Sequence, residues 1–402
     1  MFKFSGQASF RFLFPRPIVF FAVVLSAALP SVAQTKPASE PDVLVLKNGD
    51  TLHGKLVNAA DGKVNFHSEA LGDLAVKWED IKELHTAENF AVLDNTVKKR
   101  GKKDVHQIPV GKIDFADQAV TVNPESGPPP PPVAAKNAGY IMDQATLDKE
   151  VYHHPSLAAG WNGAATAGAT IVAATQNQYT FAGALALVRV VPTVDWLDRR
   201  NRTMVDFTGS YGKITQPAYL AGRLLVPETF TKSAIFHADA ERDEYLTSRI
   251  FALAQIAYDH NFAQNLELQQ IYGGGLGWTF LKTENQTADV KGTIQYEKQS
   301  FIGGNSSTDE NLIGSTFSLD YLLHMKFLTY TQGIAYIPAY NNPRAYSVNE
   351  TNTLTFPTYK NFGFTVGTLD CYLNNPPASE PPTKRNSFQF TMGLTYAIKS
   401  KY

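Results

Sequence analysis

The last fifteen residues, FQFTMGLTYAIKSKY (388–402), alternate in character to the end of the chain. Phe388, Phe390, Met392, Leu394, Tyr396, Ile398, Ser400 and Tyr402 share one parity, interrupted only by Ser400, while Gln389, Thr391, Gly393, Thr395, Ala397, Lys399 and Lys401 share the other. A two-residue period puts successive side chains on opposite faces of a strand, and a helix would mix the two sets. Stretches of this kind recur at 159–173, 178–192, 201–213, 229–241, 248–259, 265–281, 286–299, 311–325, 327–337, 346–356, 361–373 and 387–402. They run for about 10 to 16 residues, longer than the strands of ordinary soluble sheets and enough to cross a bilayer when tilted. The count of about twelve is even.

Parity within these stretches separates two chemistries. In ADVKGTIQYEK (288–298), Ala288, Val290, Ile294 and Tyr296 oppose Asp289, Lys291, Thr293, Gln295 and Glu297. In LIGSTFSLDYLLHM (312–325), Ile313, Phe317, Leu319, Tyr321 and Leu323 oppose Thr316, Ser318, Asp320 and His324. LELQQIYGGGLGWTF (266–280) sets Leu266, Leu268, Tyr272, Leu276, Trp278 and Phe280 against Glu267, Gln269, Gly273, Gly275, Gly277 and Thr279. The stretches 248–259, 327–337 and 346–356 show no clear face. A sheet inside hydrocarbon satisfies its backbone only by closing on itself, so the pattern reads as an all-β, antiparallel transmembrane β-barrel. The polar parity would then line its lumen: Glu267, Gln269, Asp289, Lys291, Gln295, Glu297, Asp320, His324 and Lys399, with Lys401 beyond.

The other segments fit that reading. Lys3, Arg11 and Arg16 precede the apolar run IVFFAVVLSAAL, and Ser31-Val32-Ala33 offers a cleavage site, so residues 1–33 read as a secretory signal peptide. Residues 34–122 carry short alternating runs punctuated by Asn48-Gly49-Asp50 and Asp61-Gly62, as in a small SH3-like or otherwise β-rich domain expected in the periplasm. Five prolines, Pro128 to Pro132, make 123–139 read as an extended linker, leaving 140–402 for the barrel. With the N-terminal domain periplasmic, KITQPAYLAGRLLVPE, FIGGNSSTDE and NNPPASEPPTKRN become outer loops and KTEN and PTYK periplasmic turns. VPTVDWLDRR (191–200) is long for a turn on that side.

The balance of 36 basic and 37 acidic side chains argues against a nucleic-acid partner, and Cys371 alone excludes an intramolecular disulfide. The basic run KKRGKK (98–103) reads as a solvated loop. His153 and His154 are adjacent on an extended segment and would point apart, so no metal site is expected there, and no cofactor-binding motif appears. His237, His260 and His324 share stretches with Ser233 and Ser318, but nothing in their spacing pairs a nucleophile with a base, so no enzyme is expected.

LKNGDTLHGKL with LAVKWEDIKEL, SAIFHADAERDEYL, IYGGGLGWTF and the closing YLNNPPASEPPTKRNSFQFTMGLTYAI together resemble the YdiY-like salt-induced outer membrane proteins. The resemblance spans most of the chain after residue 33. It implies a barrel and an outer-membrane address, and supplies no ligand or reaction. LALVRVV after TQNQYT departs from the more polar turn expected in such a hairpin. The expected function is therefore an outer-membrane barrel with a structural or limited-permeability role in the cell envelope. The alternatives are a porin-like small-solute channel and a barrel that anchors a periplasmic binding module. Expected partners are outer-membrane lipid, the barrel-insertion machinery, and another envelope component met through 34–122. Gly393, Tyr396 and Ile398, or the longer run to Tyr402, form the candidate assembly signal that the insertion machinery would read.

Overall fold

The structure, a computed structural model, describes residues 40–95, 108–153, 155–173, 177–221, 224–283, 285–303, 309–376 and 385–400. The expected signal peptide, the KKRGKK run and Tyr402 lie outside the described residues. The first strands are β1 (Asp42–Leu46), β2 (Thr51–Ala60), β3 (Lys63–Ser68), β4 (Gly72–Lys77), β5 (Ile81–His85) and β6 (Phe90–Asp94). They are followed by β7 (Val110–Ala116), β8 (Ala119–Asn123), β9 (Val133–Ala134) and β10 (Ala138–Asp143).

Six of these strands form a closed ring in the order β1-β5-β7-β6-β10-β2, with β2 returning to β1. Its core holds Leu44, Phe66, Ile81, Leu84, Phe90, Ile113, Phe115 and Ile141, with the Trp78 ring packed at a tilt against Phe115, their centres 4.7 Å apart. Asp42 is buried among them because its two carboxylate oxygens accept from the backbone amides of Leu56 and Ala87 at 2.6 and 2.7 Å. The positive φ of Asp61 and Gly62 makes the tight β2–β3 turn that the sequence suggested.

Residues 123–139 do not lead out of this domain. They carry the chain from β8 to β10, which pairs with both β6 and β2, so the proline-rich stretch is a loop inside the small domain and the domain continues to Asp143. Local composition could not show this, because the pairing that recruits β10 reaches back to residues 59 and 90–94.

The large barrel comprises β11 (Trp161–Ala173), β12 (Asn177–Val191), β13 (Asn201–Gln216), β16 (Thr229–Tyr245), β17 (Ile250–Asn261) and β18 (Leu266–Lys282). It continues through β19 (Gln286–Phe301), β20 (Glu310–His324), β21 (Thr329–Pro338), β22 (Tyr346–Tyr359), β23 (Phe362–Leu373) and β24 (Asn386–Ile398). These twelve strands pair antiparallel in sequence order, and β24 closes on β11. A small hairpin, β14 (Tyr219–Ala221) and β15 (Leu224–Val226), sits in the β13–β16 connection. The even side chains of β24 face outward, with Phe388, Phe390, Met392 and Leu394 all exposed, while Thr395 faces inward and is buried.

The barrel end that carries the small domain has turns at 246–249, 283–285, 325–328 and 360–361, whereas the far end has the short connections 174–176 and 262–265 and the longer ones 217–228, 302–309, 339–345 and 374–385. The exception, 192–200, docks the small domain. Leu197 is buried with Ala91, Leu93, Met142 and Leu147, and Trp196 faces Tyr140 at 6.2 Å. Buried Glu150 accepts from the Thr193 amide and hydroxyl, and Arg200 donates to the Glu150 carbonyl. Its length, anomalous for a turn, is what lets it reach the second body.

Two outcomes follow. Leu197→Ala should lower the stability of this junction by about 2–5 kcal/mol, read as faster hydrogen exchange in 144–152 with the barrel amides unchanged. A Cβ at Gly393 would stand 2.5 Å from the Ala167 carbonyl oxygen across the seam, so Gly393→Val should abolish the heat-modifiable gel mobility of the closed barrel. Met392→Val, on the outer face, should retain it.

Candidate functional site: the barrel interior

Alternation turns one parity of every barrel strand inward, and in β13 and β16–β20 that parity is rich in ionisable groups. Arg202 of β13 donates through Nε to Asp243 of β16 and through Nη1 to Asp289 of β19, both at 2.7 Å. Asp289 also accepts from Thr279 Oγ1 at 2.6 Å. The guanidinium lies 5.3 Å from the centre of the Phe251 ring, which is fully buried. A Cβ at Gly277 would come within 2.2 Å of that ring, so the glycine-rich stretch of β18 makes room for an aromatic in the bore.

A second crossing lies alongside. Lys291 of β19 meets Glu241 of β16 at 2.5 Å and Asp320 of β20 at 2.8 Å. His237 stands between Asp259 and Asp239, at 2.6 and 3.0 Å. Toward the far end, Glu297 accepts from Gln269 and Gln299 at 2.5 and 2.6 Å, and Gln295 accepts from Thr316 at 2.5 Å. At the far mouth the turn 262–265 folds across. Gln264 donates to the carbonyls of Cys371 and Arg385 on the facing wall, and Leu266 is buried with Phe301 and Leu373.

The Arg202–Asp289 and Lys291–Glu241 pairs join strands that are not neighbours, so they span the bore and do not merely decorate its wall. Removing one member leaves charges buried without their counterion, which is costly. The void bounded by His237, Asp259, Gln269, Asn349 and Cys371 is only about 20 Å³, room for a single water molecule.

The other half of the interior is different. β11 and β12 contribute Ala164, Thr166, Ala182, Ala184 and Ala186, while β22–β24 contribute Thr351, Thr353, Gly367, Thr391 and Gly393. Thr166, Thr395, Thr365 and Thr355 form a chain of hydroxyl hydrogen bonds around the wall. These small side chains leave space, and the inward Asp320 side chain keeps 44% of its surface.

Among the expected lumen residues, Gln269, Asp289, Lys291, Gln295, Glu297 and Asp320 are all brought into this interior. Glu267 falls in the bulge between Leu266 and Leu268 and is exposed. His324 bonds Thr329 Oγ1 at the rim beside the small domain, and Lys399 follows the last strand and is exposed. Sequence reading passed over Arg202, Glu241 and Asp243. The signal was present in SAIFHADAERDEYL, whose odd positions read His237, Asp239, Glu241 and Asp243. Ser318 and His324 lie six residues apart on one strand, on the order of 20 Å. His153 bonds the Asp148 carbonyl, and the described residues hold no cluster of metal-ligating side chains.

The outward face is also not uniformly apolar. Glu350 and Asp370 stand directly opposite each other on β22 and β23, flanked by Gln332, Asn352 and Thr368. Tyr330 donates to Asn352, which donates in turn to Glu350 and Thr368, so the group satisfies much of its own hydrogen bonding.

The family model described as "Protein of unknown function, DUF481" matches residues 166–398, more than half of the chain, and the chain belongs to that family. Among solved structures it is similar to the COG4313 outer membrane channel from Pseudomonas putida F1, at 13% identity and a TM-score of 0.34, covering 62% of this chain and 98% of that one. Likeness at that level adds nothing to what the strand pairing shows. No curated protein matches the chain.

Arg202→Met should leave Asp243 and Asp289 buried and unpaired, costing about 3–5 kcal/mol. The expected reading is a lower temperature for the shift in gel mobility in detergent, largely restored in the Arg202→Met/Asp243→Leu/Asp289→Leu variant.

Proposed function

For this member of the DUF481 family we propose an outer-membrane barrel with a periplasmic N-terminal module, whose bore is closed over half its section by ion pairs and whose role is structural with limited permeability. The observation that carries the reading is the pair of crossings from Arg202 and Lys291, which join non-adjacent strands through the interior. The membrane address is supported by the strand lengths, the exposed outward residues such as Leu276, Ile294, Phe317 and Leu394, and the closed edge. The short turns at the end carrying the small domain favour a periplasmic position for it. This agrees with the YdiY-like outer-membrane resemblance of the sequence. Outer-membrane lipid and the insertion machinery are then its partners, with Gly393, Tyr396 and Ile398 in the strand the machinery would read.

A second reading, a narrow selective path, is favoured by the half of the interior lined with alanine, threonine and glycine. Interior carboxylates at Asp206, Asp239, Glu241, Asp243, Asp259, Asp289, Glu297 and Asp320 outnumber the basic groups Arg202, His237 and Lys291, so such a path would prefer cations. The third expectation, a binding role for the small domain, is carried by its exposed β4 edge next to Leu71. A fragment testing it must run past Asp143, because one ending at 122 lacks β10.

Planar-bilayer recording separates these readings. The full chain should show small, cation-preferring currents or none, and Arg202→Ala/Lys291→Ala should raise the unitary current several-fold. A wild-type current already as large as that of the double variant counts against the closed bore. Asp320→Asn should weaken any cation preference.

A further inference from the structure

The outer wall of β13 and β16 carries a charged pair that the interior does not explain. Lys213 and Lys232 are directly opposite in the strand register, on the outward face. Both ammonium groups lie over the same ring, 4.9 and 5.4 Å from the centre of Phe230. Like charges placed opposite each other repel, and a single ring offsets only part of that. Neither lysine forms an ion pair among the described residues. An anion bound between them would convert repulsion into two charge-assisted contacts.

The position along the wall says where that anion sits. Below the lysines the outward face continues through Tyr211 and Ala234, then Gly209 and Phe236, and reaches Thr203 and Arg242 ten register steps away. Ten residues at roughly 3.3 Å, tilted by about 40°, rise about 25 Å, the height of the apolar band of such barrels. The lysine pair therefore stands at one edge of the band and Arg242, paired with Glu244, at the other. Lys213 and Lys232 are at the end away from the small domain. Along this strip the rings of Phe236 and Phe207 cover Gly209, and Tyr211 and Phe236 stand exposed on either side of Ala234, so the wall presents a continuous aromatic surface below the lysines.

We propose that Lys213 and Lys232 clamp the phosphate of an outer-leaflet glycolipid, with an acyl chain lying against the exposed rings of Tyr211 and Phe236. The assignment of the leaflet rests on the periplasmic position proposed for the small domain. The contact itself rests only on the wall.

The test is native mass spectrometry of the full chain in detergent, with bisphosphorylated lipid A as probe. One lipid should be retained by the wild type, at least about tenfold less by Lys213→Gln/Lys232→Gln, and normally by Lys213→Arg/Lys232→Arg. Dephosphorylated lipid A should be lost from the wild type, and millimolar inorganic phosphate should fail to displace the intact lipid. Equal retention by wild type and the Gln variant, or equal retention of the dephosphorylated probe, overturns the clamp. Displacement by inorganic phosphate shows a free-anion site and overturns the lipid assignment. Unchanged heat-modifiable mobility shows that the Gln variant is folded. Because retention is read in detergent, it is independent of orientation, which protease access to 217–228 on intact cells tests separately.

Discussion

The backbone amides and carbonyls of the twelve long strands find their partners chiefly within the sheet, and pairing of β24 with β11 is what joins its two ends into a ring. An open sheet of this length would present two unpaired edges, a template for aggregation in water and untenable in lipid. Closure also forces alternation to have a consequence. Once the sheet has an inside, one parity of each strand must be filled with side chains that tolerate one another, and the other must tolerate the surroundings.

The interior solves this unevenly. On β13 and β16–β20, large charged residues reach over their neighbours, and the glycines of β18 leave space for them. On β11, β12 and β22–β24, the inward residues are small and bond along the wall. Buried ion pairs are poor sources of net stability, since desolvation consumes most of their attraction, but they discriminate strongly against wrong arrangements. Arg202 finds Asp243 and Asp289 together only when strands three, four and seven of the barrel take this stagger, so the crossings fix register as well as occupy the bore.

What could be read from the residues was what depends on neighbours in sequence. The twelve strands stand within a few residues of their expected bounds, and the parities read for 288–298, 312–325 and 388–398 are the ones the barrel uses. The stretch 346–356 gave no face because Glu350 and Asn352 point outward while Thr351 and Thr353 point inward, so both sides are polar. Two features were illegible for a different reason. The partnership of β10 with β2, and that of Arg202 with Asp289, join residues far apart in the chain and arise only from the geometry of a closed ring.

The seam strand β11 has a particular mechanical position. Thirteen residues of it pair with β12, but only Gly163 to Ala167 pair with β24. The chain enters β11 directly from the small domain, and Arg189 of β12 grips that entry by donating to the carbonyls of Pro155 and Ala159. A load applied to the small domain is therefore delivered to the β11–β12 hairpin, beside the least extensively paired joint of the wall. The tether and the weakest seam of the cylinder share one strand.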